Sequence, residues 1–316
     1  MTDRAPFIPP FSWHQAVVEP WTDHQPGTLW MVLTAIFLAV PCALLGNYLI
    51  LRRMSLVGDA ISHSVLPGLV LAYLLFRDLG TGPMLGGAIA AGLFTTLLIE
   101  FLTAKTKLKS DAATGIAYTT LFALGMFLVN RYTSRVHLDA ECVLFGELEY
   151  VPLSEPSTLS LGAWGMVPLA VLVSLGTALT VGVLLGLFAK ELKVTSFDPG
   201  FARSTGVRSS LIHYGLMALL SVVVVTSLER VGILVVALLV LPGSTAQFFT
   251  RRMAWLHVLS AVLAVTGVLG GFHLASWLLI PTAASIALWG GLQFGVAWMG
   301  SLALQSWRRA QMRPAR

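Results

Sequence analysis

The chain has 316 residues, of which 56% are hydrophobic and only 11% charged. An ordinary soluble domain carries about 25% charged residues, so this composition excludes one and indicates an all-α, polytopic membrane protein. The net charge of +5 does not mark a nucleic-acid surface, because the basic residues recur at alternate ends of apolar runs.

Residues 1–28 are polar, Pro-rich and aromatic. They lack the basic and apolar regions of a cleavable signal peptide, so an extracytoplasmic tail is expected, with the first span acting as an uncleaved signal. Runs long enough to cross a bilayer follow at 29–50, 55–76, 83–102, 112–130, 163–188, 210–228, 231–250, 254–272 and 275–299. This predicts a transmembrane helical bundle of nine spans, or eight if the last two merge. In the nine-span reading Arg52, Arg53, Lys105, Lys107, Lys109, Lys190, Lys193, Arg203, Arg208, Arg251, Arg252, Arg308, Arg309, Arg313 and Arg316 share one side. By the positive-inside rule that side is cytoplasmic, which puts the amino terminus outside and the carboxyl terminus inside. The expected division is a tail at 1–28, a transmembrane domain at 29–300 with a cytoplasmic segment at 190–210, and a basic cytoplasmic tail at 301–316. Cys42 falls in the first span and Cys142 in an outer loop, so no disulfide framework is argued.

The second span opens with RRMSLVGDAISHSVLPG at 52–68. A carboxylate inside a membrane helix costs roughly 2.5–3.5 kcal/mol, so Asp59 is expected to have a partner and a role. Positions four apart share a helix face, which lets Asp59 and His63 converge on one ion. Counting about 1.5 Å per residue from Arg53 as unbroken helix puts Asp59 about 9 Å and His63 about 15 Å into the core, near the midplane. Carboxylate and imidazole suit Zn²⁺, Mn²⁺ or Fe²⁺, and the absence of a nearby Cys argues against Cu⁺. A helix-packing hydrogen bond is the competing reading. Two ligands make a weak site, whereas two copies of the chain facing each other would supply four.

The outer segment from Asn130 to Pro156 carries Asp139, Glu141, Glu147, Glu149 and Glu155, and reads as a solvated loop or an acidic entrance. Its apolar string VLFG is expected to dip back against the bundle. Within 190–210, Asp198 is a predicted N-cap, Pro199 a first helical residue and Gly206 a stop. Phe201 and Ala202 are expected to form a small apolar face. A cytosolic helix of about two turns is not stable alone, so it rests on its own spans or in a groove of another subunit. The string VLPG recurs at Val65–Gly68 and Val240–Gly243 in spans of opposite predicted direction, a faint sign of an inverted repeat. Pro67 and Pro242 are expected to kink or interrupt their helices.

Glu229, at the outer end of its span, is a candidate gate. Glu100 and the remaining histidines, His213, His257 and His273 among them, read as locally satisfied groups at span ends. No phosphate loop of the form GxxxxGK[ST] is present, and neither HExxH nor GxSxG occurs, so the chain does not bind ATP in that way and is not read as an enzyme.

The string LRRMSLVGDAISHSVLPG resembles the signature of the membrane-permease subunits of bacterial zinc, manganese and iron ABC importers. LFGELEYV at 144–151, SFDPGFARSTGV at 196–207 and VGILVVALLVLPGSTA at 231–246 agree in order and spacing, and the resemblance covers most of residues 29–300. It implies a type II importer permease in the bacterial inner membrane that moves a divalent transition metal into the cytoplasm. Implied partners are a second permease copy or a related permease, two cytosolic ABC ATPase subunits that alone bind ATP, and an extracytoplasmic metal-binding protein. No tightly bound cofactor is implied. The metal-coordinating residues map onto Asp59 and His63, and the coupling segment onto Phe197, Asp198, Pro199, Phe201, Ala202, Arg203 and Gly206. Gly200 stands where an acidic residue is more usual in the family, which weakens that helix by roughly 1 kcal/mol. An ion-coupled secondary transporter using the Asp/His pair as a proton relay is the alternative reading. Residues 1–28 have no counterpart in the resemblance.

Overall fold

The computed structural model of the chain describes residues 9–23, 26–77, 81–132, 146, 148–153, 156–160 and 166–311. After helical stretches at His14–Val18 and Glu19–Thr22, the long helices α1 (Gly27–Leu51), α2 (Val57–Phe76), α3 (Thr81–Lys105) and α4 (Ser110–Tyr132) follow one another across short turns. A 3-10 turn at Leu148–Leu153 and an antiparallel pair, β1 (Pro156–Ser160) with β2 (Met166–Pro168), lead into α5 (Leu169–Leu187). The span expected from residue 163 therefore starts later, at Leu169, because β2 occupies its beginning. Two short helices, α6 (Ala189–Phe197) and α7 (Pro199–Ser204), precede α8 (Ser209–Val231), α9 (Val235–Ala246), α10 (Met253–Leu278) and α11 (Thr282–Gln311).

Among the described residues eight helices are long and apolar enough to cross a membrane: α1 to α5, α8, α10 and α11. The expected span at 231–250 is instead the 12-residue helix α9 behind a 3-10 turn at Gly232–Leu234. Together they reach about 24 Å, short of a core about 30 Å thick. α8 breaks at Gly232, whose φ of 64° lies in the left-handed region. The short segment still carries the chain from one face of the bundle toward the other. Its start lies beside Gly146 of the outer loop, and Gly243 near its end packs on Asn47 and Ile50 of α1.

Contacts at both ends fix the alternation. Residues 9–16 cover the end of α10: the Trp277 Nε1–H donates to the Pro9 carbonyl at 3.1 Å, and His273 Nδ1 lies 3.1 Å from the Ala16 carbonyl. On the same face Glu149 Oε1 accepts from the Thr282 amide at 2.9 Å and its hydroxyl at 3.1 Å, which caps α11 where it begins. At the other face Tyr48 of α1 stacks near His257 of α10, with ring centroids 5.1 Å apart. α11 then runs back beside α10, Gln293 Nε2 donating to Thr266 Oγ1 at 2.9 Å. The first and last long helices thus begin on one face and end on the other.

α1 sits at the centre, with 61% of its span buried against 11% for α11. Lipid offers little hydrophobic drive for helix association, so close approach and polar bridges hold such bundles together. A methyl on Gly46 would run into the Leu239 carbonyl, so α1 and α9 meet backbone to backbone. Gly68 of α2 and Gly87 of α3 approach each other in the same way. Asn47 Nδ2 donates to Ser260 Oγ at 2.7 Å, and Ser64 and Thr95 hydroxyls pair at 2.6 Å. Both VLPG strings lie inside continuous helices of opposite direction, so Pro67 and Pro242 do not interrupt them.

Candidate metal site

α1 ends in a turn that the sequence reading missed. The amide of Met54 donates to the Leu49 carbonyl at 2.9 Å and that of Arg53 to the Ile50 carbonyl at 3.1 Å, the paired bonds of a Schellman stop. The position that usually holds Gly is Arg53, at φ 58°. Helix α2 starts only at Val57. Along its own axis Asp59 is therefore about 3 Å and His63 about 9 Å from its start. The pair lies in the first third of the helix, on the side of Arg52 and Arg53, and not at its midpoint.

The two side chains share one face as expected. His63 Nε2 is 3.5 Å from Asp59 Oδ1, and the side chains are 31% and 36% exposed. Their neighbours Ala60 and Ile61 are fully buried, so the pair marks the accessible face of the first turns of α2. Tyr118 and Phe122 of α4 wall the imidazole, with ring centroids 5.7 and 5.9 Å away. The hydroxyls of Ser62 and Ser64 bond the Gly58 and Ile61 carbonyls of their own helix and leave the pair alone. One carboxylate oxygen and one imidazole nitrogen can hold a divalent ion only in part. Among the described residues no third His, Cys, Asp or Glu joins them.

The segment at 190–210 forms two helices where one was expected. Asp198 caps α7, its Oδ1 accepting from the Phe201 amide at 2.9 Å, with Pro199 as the first helical residue. Val207 N bonds the Ala202 carbonyl at 3.0 Å and Gly206 N the Arg203 carbonyl at 3.2 Å, a second Schellman stop with Gly206 at φ 80°. Phe197 and Phe201 are 60% and 57% exposed, whereas Ala202 is fully buried. The apolar face expected from Phe201 and Ala202 is therefore split: Phe201 points outward and Ala202 into its own chain. Arg203 stays on α7, its Nε donating to the Pro199 carbonyl at 3.2 Å. The side chain of Glu229 lies outside the described residues, as do residues 133–145 of the outer loop.

Glu100 and His213, set aside as local groups at span ends, meet across α3 and α8: the Glu100 Oε1 and His213 Nε2 atoms are paired. Arg52 engages every nitrogen of its guanidinium: Nε donates to Ser196 Oγ at 3.0 Å, one terminal nitrogen to Thr195 Oγ1 at 2.9 Å, and the other to His213 Nδ1 at 3.1 Å. Burial pushes the Arg52 pKa down, opposed in part by Tyr48. The only sequence signal for this cluster is a carboxylate and an imidazole, each near the basic end of a span.

The chain as a whole is similar to known membrane transport proteins. A model of the ABC 3 transport family matches residues 25–300. The chain is 36% identical over 273 residues to a manganese transport system membrane protein, MntD, of Bacillus subtilis, covering 86% of this chain and 91% of that one. It is 39% identical over 276 residues to a zinc transport system membrane protein, TroD, of Treponema pallidum, covering 87% and 74%. The solved structure of PsaBC from Streptococcus pneumoniae in complex with Fab superposes with a TM-score of 0.73 at 28% identity, covering 91% of this chain and 95% of that one.

Proposed function

This chain belongs to the ABC 3 transport family as a multi-pass permease subunit and not an enzyme, and from that premise we propose that it carries a divalent first-row transition ion into the cytoplasm. The observation that carries the reading is the Asp59 and His63 pair, one turn apart on the accessible face of a spanning helix. Relatives named for manganese and for zinc have comparable identity to the chain, so the cargo is drawn from zinc, manganese and iron.

In the proposed cycle two permease copies, or this chain and a related one, bring two such pairs together across a shared path. Four ligands then face the ion. Two carboxylates cancel its double charge while two neutral imidazoles complete the set, which offsets lost hydration without holding the ion permanently. A solute-binding protein delivers the ion on the face of the amino-terminal segment, with Glu229 as outer gate. Two cytosolic ATPases dock on the basic face at the exposed Phe197 and Phe201. The basic face is cytoplasmic by the charge rule, and the membrane is the bacterial inner membrane.

The test is metal uptake into vesicles by the complete complex, comparing zinc, manganese and iron with and without ATP. ATP-dependent uptake of at least one is expected. Asp59→Asn and His63→Ala each lower it by more than roughly tenfold, the loss seen even for outer-shell changes at metal sites. Uptake that survives removal of the ATPase supports an ion-coupled carrier instead.

A further inference from the structure

Arg52 is the last residue in common between two parts of the molecule with different tasks. On one side its guanidinium holds Thr195 and Ser196, in the last turn of α6 and directly before Phe197. On the other, four residues separate it from the start of α2, through a turn held by the Met54 amide on Leu49 at 2.9 Å and the Val57 amide on the Met54 carbonyl at 3.1 Å. Asp59 follows in the first turn.

The proton arrangement around Arg52 is determined by its partners. A guanidinium only donates, so His213 Nδ1, 3.1 Å away, must accept. A neutral imidazole then carries its proton on Nε2 and donates it to Glu100. Arg52, His213 and Glu100 form a chain of cation, neutral bridge and anion that joins the ends of α1, α8 and α3 and balances its own charge. A metal ion at His213 Nε2 would need the proton moved to Nδ1, facing the Arg52 donor. The cluster is therefore built as a connector and not as a second ion site.

We propose that Arg52, His213 and Glu100 are positioning residues that transmit movement of the segment at 197–206 to the helix bearing Asp59 and His63. When an ATPase displaces that segment, Thr195 and Ser196 pull on Arg52, and the turn at 53–56 passes the shift to α2 while Glu100 and His213 keep α3 and α8 in step. A half-buried charge held through all three of its nitrogens resists partial release, so the connection moves as a unit. The inference rests on the importer reading.

The readout is metal imported per ATP hydrolysed by the reconstituted complex, a ratio that loss of folded protein alone does not change. His213→Phe and Glu100→Ala are expected to lower it roughly tenfold, within the range of energetic coupling between separate sites, while ATP hydrolysis persists. His213→Gln retains an acceptor for Arg52 and a donor for Glu100 and keeps the ratio near that of the unaltered complex. Thr195→Val with Ser196→Ala breaks the same link from the α6 side and lowers the ratio whether or not His213→Phe assembles. An unchanged ratio in that double variant overturns the inference. A His213→Gln complex as impaired as His213→Phe overturns it too, and points to a ligand role for the imidazole. Absence of ATP-dependent uptake of any of the three metals in the unaltered complex overturns the importer reading, and the inference falls with it.

Discussion

Arg53 shows how a single position can carry strain beside the Asp59 and His63 pair. Its φ of 58° costs a residue with a Cβ roughly 1 kcal/mol, and the Schellman bonds of the turn hold it there. Arg53→Gly is expected to stabilise the protein by up to about 1 kcal/mol, read as a higher midpoint of thermal denaturation in detergent. A lower midpoint would mean that the Arg53 side chain contributes more than its backbone costs. The pairing of Asp59 with His63 was legible from the four-residue spacing, because helical periodicity is a local property. Its position along α2 was not: the count assumed a helix unbroken from Arg53, and an arginine in the left-handed stop position carries no composition signal. Arg52 likewise read as a topology marker, although its guanidinium spans 161 positions of sequence to reach His213.

At the scale of elements, close approach decides which helices are neighbours. Gly46→Ala would force α1 away from the Leu239 carbonyl and is expected to destabilise the protein by about 1–3 kcal/mol, with loss of folded yield as the first sign. Ala at Gly82, where nothing lies within 4 Å, is the matched control and should leave yield unchanged. The cap at Asp198 belongs to the same scale. Asp198→Ala removes the acceptor for the Phe201 amide and should fray α7 by about 1 kcal/mol, detected as faster amide exchange at 201–204. Asp198, Pro199 and Gly206 could be assigned from sequence, since capping chemistry acts within a few residues. The split of Phe201 from Ala202 could not, because which side of a two-turn helix is covered depends on the bundle beneath it.

For the whole molecule, assembly is the property to test. Phe197 and Phe201 stand exposed at the basic face, so changing both to Ser costs the isolated permease little. The same change is expected to weaken capture of the cytosolic ATPase by roughly tenfold, measured as co-purification of the two subunits from membranes. Equal capture would place the docking contact elsewhere. The form of the segment at 231–250 likewise appears only at this scale: its apolar run reads as a full span, whereas α9 packs on α1 and, even with its 3-10 turn, falls short of one.

From the amino-acid sequence alone came the all-helical membrane architecture, most of the span positions, the caps of α7 and the shared face of Asp59 and His63. Hydropathy, helical period and hydrogen-bonding side chains act over a turn or a single span, so each is written in a contiguous stretch. Tertiary structure alone decided that Arg52, Glu100 and His213 meet, that α2 begins at Val57, and that a 12-residue helix replaces a full span. Those outcomes depend on which helices come close enough for a carbonyl to rest on a glycine or a guanidinium to find its acceptors, and lipid-facing sequences that are uniformly apolar do not encode that choice locally.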